Sequence, residues 1–354
     1  MTDPHHAWSL KEFSFHIYDK SSEITGVRKG KCFWIRTSPE DFYQSPNSLE
    51  RYIRLLDETR DDDDEDMEKA QIAEEELQEW VVQPFLPLID QLEPSSSSSP
   101  LNDSDRPLTL HDYLYPDTYR FVLHVRNEQQ EAGFDYDIPE RMGLPGVDLR
   151  DWAVSSGWEW KVFRPTEIQL CCDEDDCEPL AQSPHKVTAD GEVYFYKQLD
   201  YGDEECVVRE MDIYRRLETL RPATATGERT DVHVPRLYGV VQDEQSGRVL
   251  GLIASWIDCG NRTLTCALLY GNKPELLRRK WDQQVSSTVA YLHEAGVVWG
   301  DAKAENVLVD TDDNAWVIDF GGGYTKGWVG RDRMETIEGD QEGLPKIKEL
   351  LYQK

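Results

Sequence analysis

At 354 residues, with 39% hydrophobic residues and 11 tryptophans, the chain is long enough for two domains or one large bilobal one and has the apolar side chains to build a core. Its formal net charge of −31 argues against a nucleic acid or an anionic membrane as partner, because both reward a basic face. Seven cysteines, an odd and sparse count, suit reduced thiols; with no signal-peptide order and no apolar run near the roughly 18 residues of a membrane span, a soluble cytoplasmic protein is expected.

Residues Phe13 to Arg36 alternate apolar and polar types and predict two strands around a turn-rich stretch, Ser21 to Gly30. A helix is expected from Ser48 to about Thr59, with Leu49, Tyr52, Ile53 and Leu56 on one face. Six consecutive carboxylates at Asp61 to Asp66 repel one another and predict a solvated loop. Beyond them Ala70, Ala73, Leu77, Trp80 and Val81 return at helical spacing. Five serines between Pro94 and Pro100 have too little apolar surface to order themselves and suit a linker. A strand is expected over Tyr119 to Val125, and Trp152, Trp158 and Trp160 form a cluster suited to packing.

Thr166 to Cys172 and Lys186 to Thr188 predict short strands, Ala189-Asp190-Gly191 a turn, and Glu192 to Gln198 a strand that carries Lys197 near its end. The helix that follows has Val207, Glu210, Ile213 and Leu217 on related turns, so Glu210 can face a sheet and hold Lys197. Strands are expected over Arg236 to Gln242 and Val249 to Ile257, and a helix over Pro274 to His293. Between the first two of these strands, Asp173 to Pro184 carries five carboxylates and no glycine. Cys171, Cys172 and Cys177 lack the paired second half of a zinc site.

The densest chemistry lies in Val297 to Gly323, VVWGDAKAENVLVDTDDNAWVIDFGGG. Phosphoryl transfer needs carboxylates for Mg²⁺, a carboxylate to orient the attacking hydroxyl and a cation for developing charge. Asp301, Lys303, Asn306 and Asp319 supply these types within one short stretch.

This stretch resembles the protein-kinase superfamily, whose catalytic loop H-R-D-x-K-x-x-N and D-F-G motif match at Asp301, Lys303, Asn306 and Asp319 to Gly321. Trp299 stands in place of the His and Gly300 in place of the Arg; this "GD" form is also similar to aminoglycoside phosphotransferases and other small-molecule kinases, whereas Lys303 is a feature of protein Ser/Thr kinases. The resemblance implies an α+β, bilobal protein-kinase-like fold: a small β-rich N-lobe at 161–258, a truncated helical C-lobe at 259–354, and an N-terminal α/β accessory region at 1–160. About thirty residues follow Gly321, so most of a peptide-binding platform is expected to be missing. The arrangement resembles atypical protein-kinase-like proteins found widely in filamentous fungi.

By the same resemblance the cofactors are ATP and Mg²⁺, and the partner is a hydroxyl-bearing protein or small-molecule acceptor. Asp301 orients the acceptor, Lys303 steadies the γ-phosphate, Asn306 and Asp319 hold the metal, and Lys197 with Glu210 positions the nucleotide. Asp340 corresponds to an aspartate that braces the catalytic loop from a helix start. A loop without glycine over the phosphates leaves a second reading open, a pseudokinase or kinase-fold binding protein. The absence of an Arg before Asp301 implies that no guanidinium is placed to receive an activation-loop phosphate.

Overall fold

The computed structural model describes residues 8–353 apart from 29, 60–66, 93–105, 137–145, 158–159, 173–177, 221–231, 261 and 270–272. The acidic run 61–66, the serine-rich stretch, Trp158, Cys177 and the first five residues of the glycine-free loop lie outside the described residues. Two compact units form, one from residues 1–142 with 170–184 and the other from 143–169 with 185–354.

The first unit is a mixed sheet covered by helices. Its elements are β1 (Ser9–Phe15), β2 (Ser22–Arg28), β3 (Lys31–Thr37), β4 (Phe42–Tyr43), α1 (Pro46–Glu58), α2 (Met67–Val82), α3 (Leu86–Gln91), α4 (Leu110–Leu114), β5 (Thr118–Arg126) and β6 (Gln129–Phe134). The strand order is β1-β2-β3-β5-β4, with β6 also paired to β5; β3 and β4 each run parallel to β5. Inward residues Ile24, Phe33, Ile35, Phe121 and Leu123 pack with Tyr52, Leu55, Leu77, Val81 and Phe85 of the helical layer. The stretch from Ser21 to Gly30, expected as a turn, is instead largely the strand β2. Gly26 diluted its alternation, and Gly is needed there because a Cβ would run into the rings of Phe33 and Trp8.

The second unit contains α5 (Arg150–Ser156), β7 (Lys161–Phe163), β8 (Gln169–Leu170, at the join), β9 (Lys186–Ala189), β10 (Glu192–Gln198), α6 (Glu204–Leu220), β11 (Leu237–Gln242), β12 (Val249–Ser255), α7 (Leu264–Leu269), α8 (Glu275–Glu294), β13 (Val307–Val309), β14 (Ala315–Val317) and α9 (Ile337–Tyr352). Its strands run in the order β7-β11-β12-β10-β9, a mixed α/β arrangement consistent with a kinase-like fold. β9 and β10 are joined by a two-residue turn in which Asp190 (φ 52°) and Gly191 (φ 82°) are both left-handed, as a tight hairpin requires. Only Gln169–Leu170 of the expected Thr166 to Cys172 strand is extended. Pro165 starts a 3-10 turn there, and the Arg164 N–H donates to the Glu167 carboxylate at 2.8 Å, so local capping outcompetes strand propensity.

Trp281, Val285, Val289 and Leu292 of α8 form the core with Val307, Val309, Ala315 and Val317 of the β13–β14 hairpin. Trp152 and Trp160 stack with ring centroids 6.3 Å apart and pack against this core. Among the described residues no helix is long and apolar enough to cross a membrane.

Candidate active site

Three elements far apart in sequence deliver one ion cluster. β10 pairs antiparallel with β12, setting Lys197 opposite Leu252, and Lys197 Nζ lies 2.8 Å from Glu210 Oε2 and 2.9 Å from Asp319 Oδ1. Glu210 is buried on α6 beside Val207, Met211 and Ile213, as the helical spacing requires. Asp319 has φ 61°, a left-handed conformation costing a non-glycine residue about 1–3 kcal/mol. The following Phe320 is fully buried and meets Tyr214 of α6 edge-on at 5.6 Å, which offsets that cost and fixes the turn.

The charges in this cluster do not balance. Burial alone would push the Lys197 ammonium down, but Glu210 and Asp319 together hold its pKa well above the ordinary lysine value. Burial raises the Glu210 pKa, and one shared lysine only partly counters it while Asp319 adds to the rise. One cation thus serves two carboxylates.

The loop that carries Asp301 is held from behind by α9. Asp340, buried in its first turn, accepts from the backbone N–H of Trp299 through Oδ2 and of Gly300 through Oδ1, each at 2.8 Å, and His293 Nε2 lies 2.8 Å from Oδ2. Asp340 is the brace, whereas Thr336 is the helix cap, its hydroxyl accepting from Gly339 N–H at 3.0 Å. Trp299 is fully buried, and its indole N–H donates to Ile318 O at 2.9 Å, tying the loop to the strand that leads into Asp319.

At the front of the loop Asn306 Nδ2 donates to Asp301 O (3.0 Å) and Oδ2 (2.9 Å), while Lys303 Nζ lies 2.6 Å from Asp301 Oδ2. Lys303 also donates to the Thr325 hydroxyl at 2.8 Å, and that hydroxyl lies 3.4 Å from Asp301 Oδ1. The turn between β13 and β14 is set by Asp310, which accepts from the backbone N–H of Asp312 and Asn314 and from the Trp316 indole. Ile318 N–H donates to Asn306 O at 3.0 Å, so the two candidate metal-holding segments are bound edge to edge.

Beside the cluster is a cavity of about 320 Å³ with an apolar wall that includes Phe195, Leu252, Ala254, Ile257, Leu308 and Ile318. Lys197, Glu210 and Asp319 contribute charged groups to its lining. That size and apolar character suit a flat heteroaromatic ring. Asp319 Oδ1 faces Lys197, and its second oxygen has no protein hydrogen-bond partner among the described residues; Asn306, donating through Nδ2, keeps its carbonyl oxygen as an acceptor. A hard divalent cation that takes one or two protein oxygens plus phosphates fits this donor set. Among the described residues no group of three or more His, Cys, Asp or Glu forms a cage for a metal on its own.

The structure therefore brings Lys197, Glu210 and Asp319 into one cluster and Asp301, Lys303 and Asn306 into an adjoining one. Thr325, Tyr214 and His293 were not singled out from the sequence. Nor was Arg209, the neighbour of Glu210 on α6, whose guanidinium lies beside Gly300.

Residues 197–341 match the family model described as protein kinase domain. The chain is 47% identical over 89 residues to serine/threonine-protein kinase kin-29 of Caenorhabditis elegans, covering 25% of this chain and 10% of that protein. It is 28% identical over 125 residues to CBL-interacting serine/threonine-protein kinase 7 of Arabidopsis thaliana (35% and 26%), and 35% identical over 86 residues to human testis-specific serine/threonine-protein kinase 4 (24% and 22%). The aligned stretches thus span about a quarter or less of each of these relatives. Coming on top of the ion cluster and the braced loop, the family match and these relatives support a protein-kinase-like superfamily for this chain.

Proposed function

We propose that the protein is an ATP- and Mg²⁺-dependent phosphotransferase that moves a γ-phosphate to a hydroxyl acceptor on a protein or small molecule. The observation that carries this reading is Lys197 bridging Glu210 and Asp319 beside an apolar cavity. Lys197 binds phosphate oxygens while Glu210 keeps the ammonium in place. Asp319 and Asn306 hold Mg²⁺, which supplies charge neutralisation on the phosphates. Asp301 accepts a hydrogen bond from the acceptor hydroxyl, orients it and takes its proton as the new P–O bond forms and the bond from the γ-phosphorus to the β–γ bridging oxygen breaks, with ADP as the leaving group; Lys303, already against Asp301, steadies the γ-phosphate. In this reading residues 161–258 and 259–354 act as the two lobes and 1–160 as an accessory region, in the manner of the atypical fungal proteins.

One observation favours a binding role without transfer. The connection after Leu170 lacks the glycines whose backbone N–H groups could close over phosphates, and Asp173 to Pro184 brings five carboxylates in their place. The deciding experiment is nucleotide binding by thermal shift with and without Mg²⁺, beside ATP consumption with cell extract as a mixed acceptor pool. Mg²⁺-dependent binding with turnover is expected. Neither signal from the wild type overturns transfer and leaves the binding role.

A further inference from the structure

Arg209 lies one residue before Glu210 on α6, and its Nη2 reaches to 3.5 Å from Val298 O at the entry to the catalytic loop. Its guanidinium occupies the space beside two glycines. Gly300 (φ 91°) and Gly322 (φ 81°) both hold left-handed backbone, and a Cβ on either would collide with the guanidinium. On the far side Glu335 Oε2 lies 3.0 Å from Arg209 Nη1. The contact is a charge pair rather than an aligned hydrogen bond, since Nη1 has no partner of hydrogen-bond geometry. Glu335 itself has φ 60°, uncommon for a glutamate, directly before the Thr336 cap of α9. Arg209 is mostly buried and Glu335 about half so, which limits screening of the pair.

We propose that Glu335 is a resident anion for Arg209, and that the pair clamps α6 against the catalytic loop without covalent modification of the segment after Phe320. A guanidinium lodged beside a catalytic loop is a receiver for an anion, and a phosphate added to a chain is the usual way to supply one. Here a carboxylate of the chain itself fills that place. The consequence runs through Glu210, the next residue, which sets Lys197. Arg209 and Glu335 are thus positioning residues; they touch neither nucleotide nor acceptor. Arg216 of the same helix donates separately to Gly296 O at 3.0 Å, so α6 has a second anchor and loss of the pair loosens its N-terminal half rather than unfolding it. The effect on nucleotide rests on the phosphotransferase reading; the clamp does not.

The test uses the full chain as wild type, Glu335→Ala, Glu335→Gln, Arg209→Met and the double variant Arg209→Met with Glu335→Ala. Amide hydrogen exchange over 204–220 reads the clamp, and Mg²⁺-ATP affinity reads its consequence. Both single-residue losses should speed exchange in the first half of α6 and weaken Mg²⁺-ATP binding by about tenfold, within the usual range of coupling between linked sites. Glu335→Gln keeps the side-chain shape, so it separates charge from packing. Inorganic sulfate should restore Glu335→Ala by entering the vacated place beside Arg209, at ionic strength matched with chloride, and leave the double variant unrestored. Unchanged exchange in Glu335→Ala, or equal restoration of the double variant, overturns the proposal. A wild type that binds no Mg²⁺-ATP removes the phosphotransferase reading instead, and the exchange comparison still decides the clamp.

Discussion

Lys197 Nζ lies 2.9 Å from Oδ1 of Asp319, a residue 122 positions further along the chain, while the same ammonium holds Glu210 at 2.8 Å. Replacing Lys197 by Met leaves two carboxylates facing each other without a cation. Breaking a buried pair costs about 3–5 kcal/mol, and since Lys197 is 34% exposed a smaller loss of about 1–3 kcal/mol is expected. Mg²⁺-ATP affinity should fall at least tenfold.

The pH dependence of that variant follows from Glu210. Its folded-state pKa is already raised by burial and rises further without Lys197. A group with a raised folded pKa contributes stability below its unfolded value and loses it as pH climbs through the folded value. The stability gap between Lys197→Met and wild type should therefore narrow as pH is lowered into the carboxylate range, and thermal unfolding across pH measures it. A gap that widens on acidification excludes Glu210 as the responsible group.

The two aspartates should separate. Asp301→Asn keeps nearly the same shape but loses the charge that orients a hydroxyl, so Mg²⁺-ATP should still bind while transfer falls by roughly two to four orders of magnitude. Asp319→Asn should weaken Mg²⁺-dependent binding and turnover together. Binding titrations and single-turnover transfer on both variants make the comparison.

Asp340→Ala removes the acceptor for two buried backbone N–H groups at Trp299 and Gly300. Unsatisfied donors of this kind cost about 1–3 kcal/mol each, so a loss of about 2–6 kcal/mol is expected in denaturant unfolding. Asp340→Asn, which keeps an acceptor oxygen, should recover part of it.

In the first unit the Tyr52 hydroxyl lies 2.8 Å from Lys20 O, 3.0 Å from Ser22 Oγ and 3.3 Å from Thr37 O. Burial pushes its pKa up to about 12. The sign is that of a raised pKa: stability is full below the unfolded value near 10 and declines as pH rises toward 12. Tyr52→Phe should cost about 1–2 kcal/mol at neutral pH and flatten that alkaline decline. An equally steep decline in the variant assigns it to other groups.

Much of this arrangement was legible along the chain because its chemistry is local. Asp301, Lys303, Asn306 and Asp319 fall within one short stretch, and helical spacing alone put Glu210 among Val207, Ile213 and Leu217. The hidden parts are those where two distant side chains meet or a local bond decides. Arg209 and Glu335 are a surface-type arginine and glutamate in any sequence reading, and only a folded backbone with two left-handed glycines makes room for them together. Thr325 sits in a glycine-rich segment with no periodicity to mark it. β2 was masked by Gly26, and the extended stretch after Arg164 was shortened by one proline and one capping glutamate.

The first unit takes its last piece, residues 170–184, from beyond the start of the second. Within that unit Leu170 N–H donates to Leu108 O at 2.8 Å, and Glu178 accepts from Gly30 N–H at 3.0 Å. A ribosome delivers the amino-terminal part first, so a nascent chain must synthesise the opening of the second unit before the first can finish its own contacts. The first unit can therefore complete itself only after residue 184 has emerged, with 143–169 waiting for the rest of the second. The same threading means that any single protease cut or gene truncation between 142 and 184 leaves a fragment of one unit covalently attached to the other. Separating the two as working pieces calls for three cuts and two new splices.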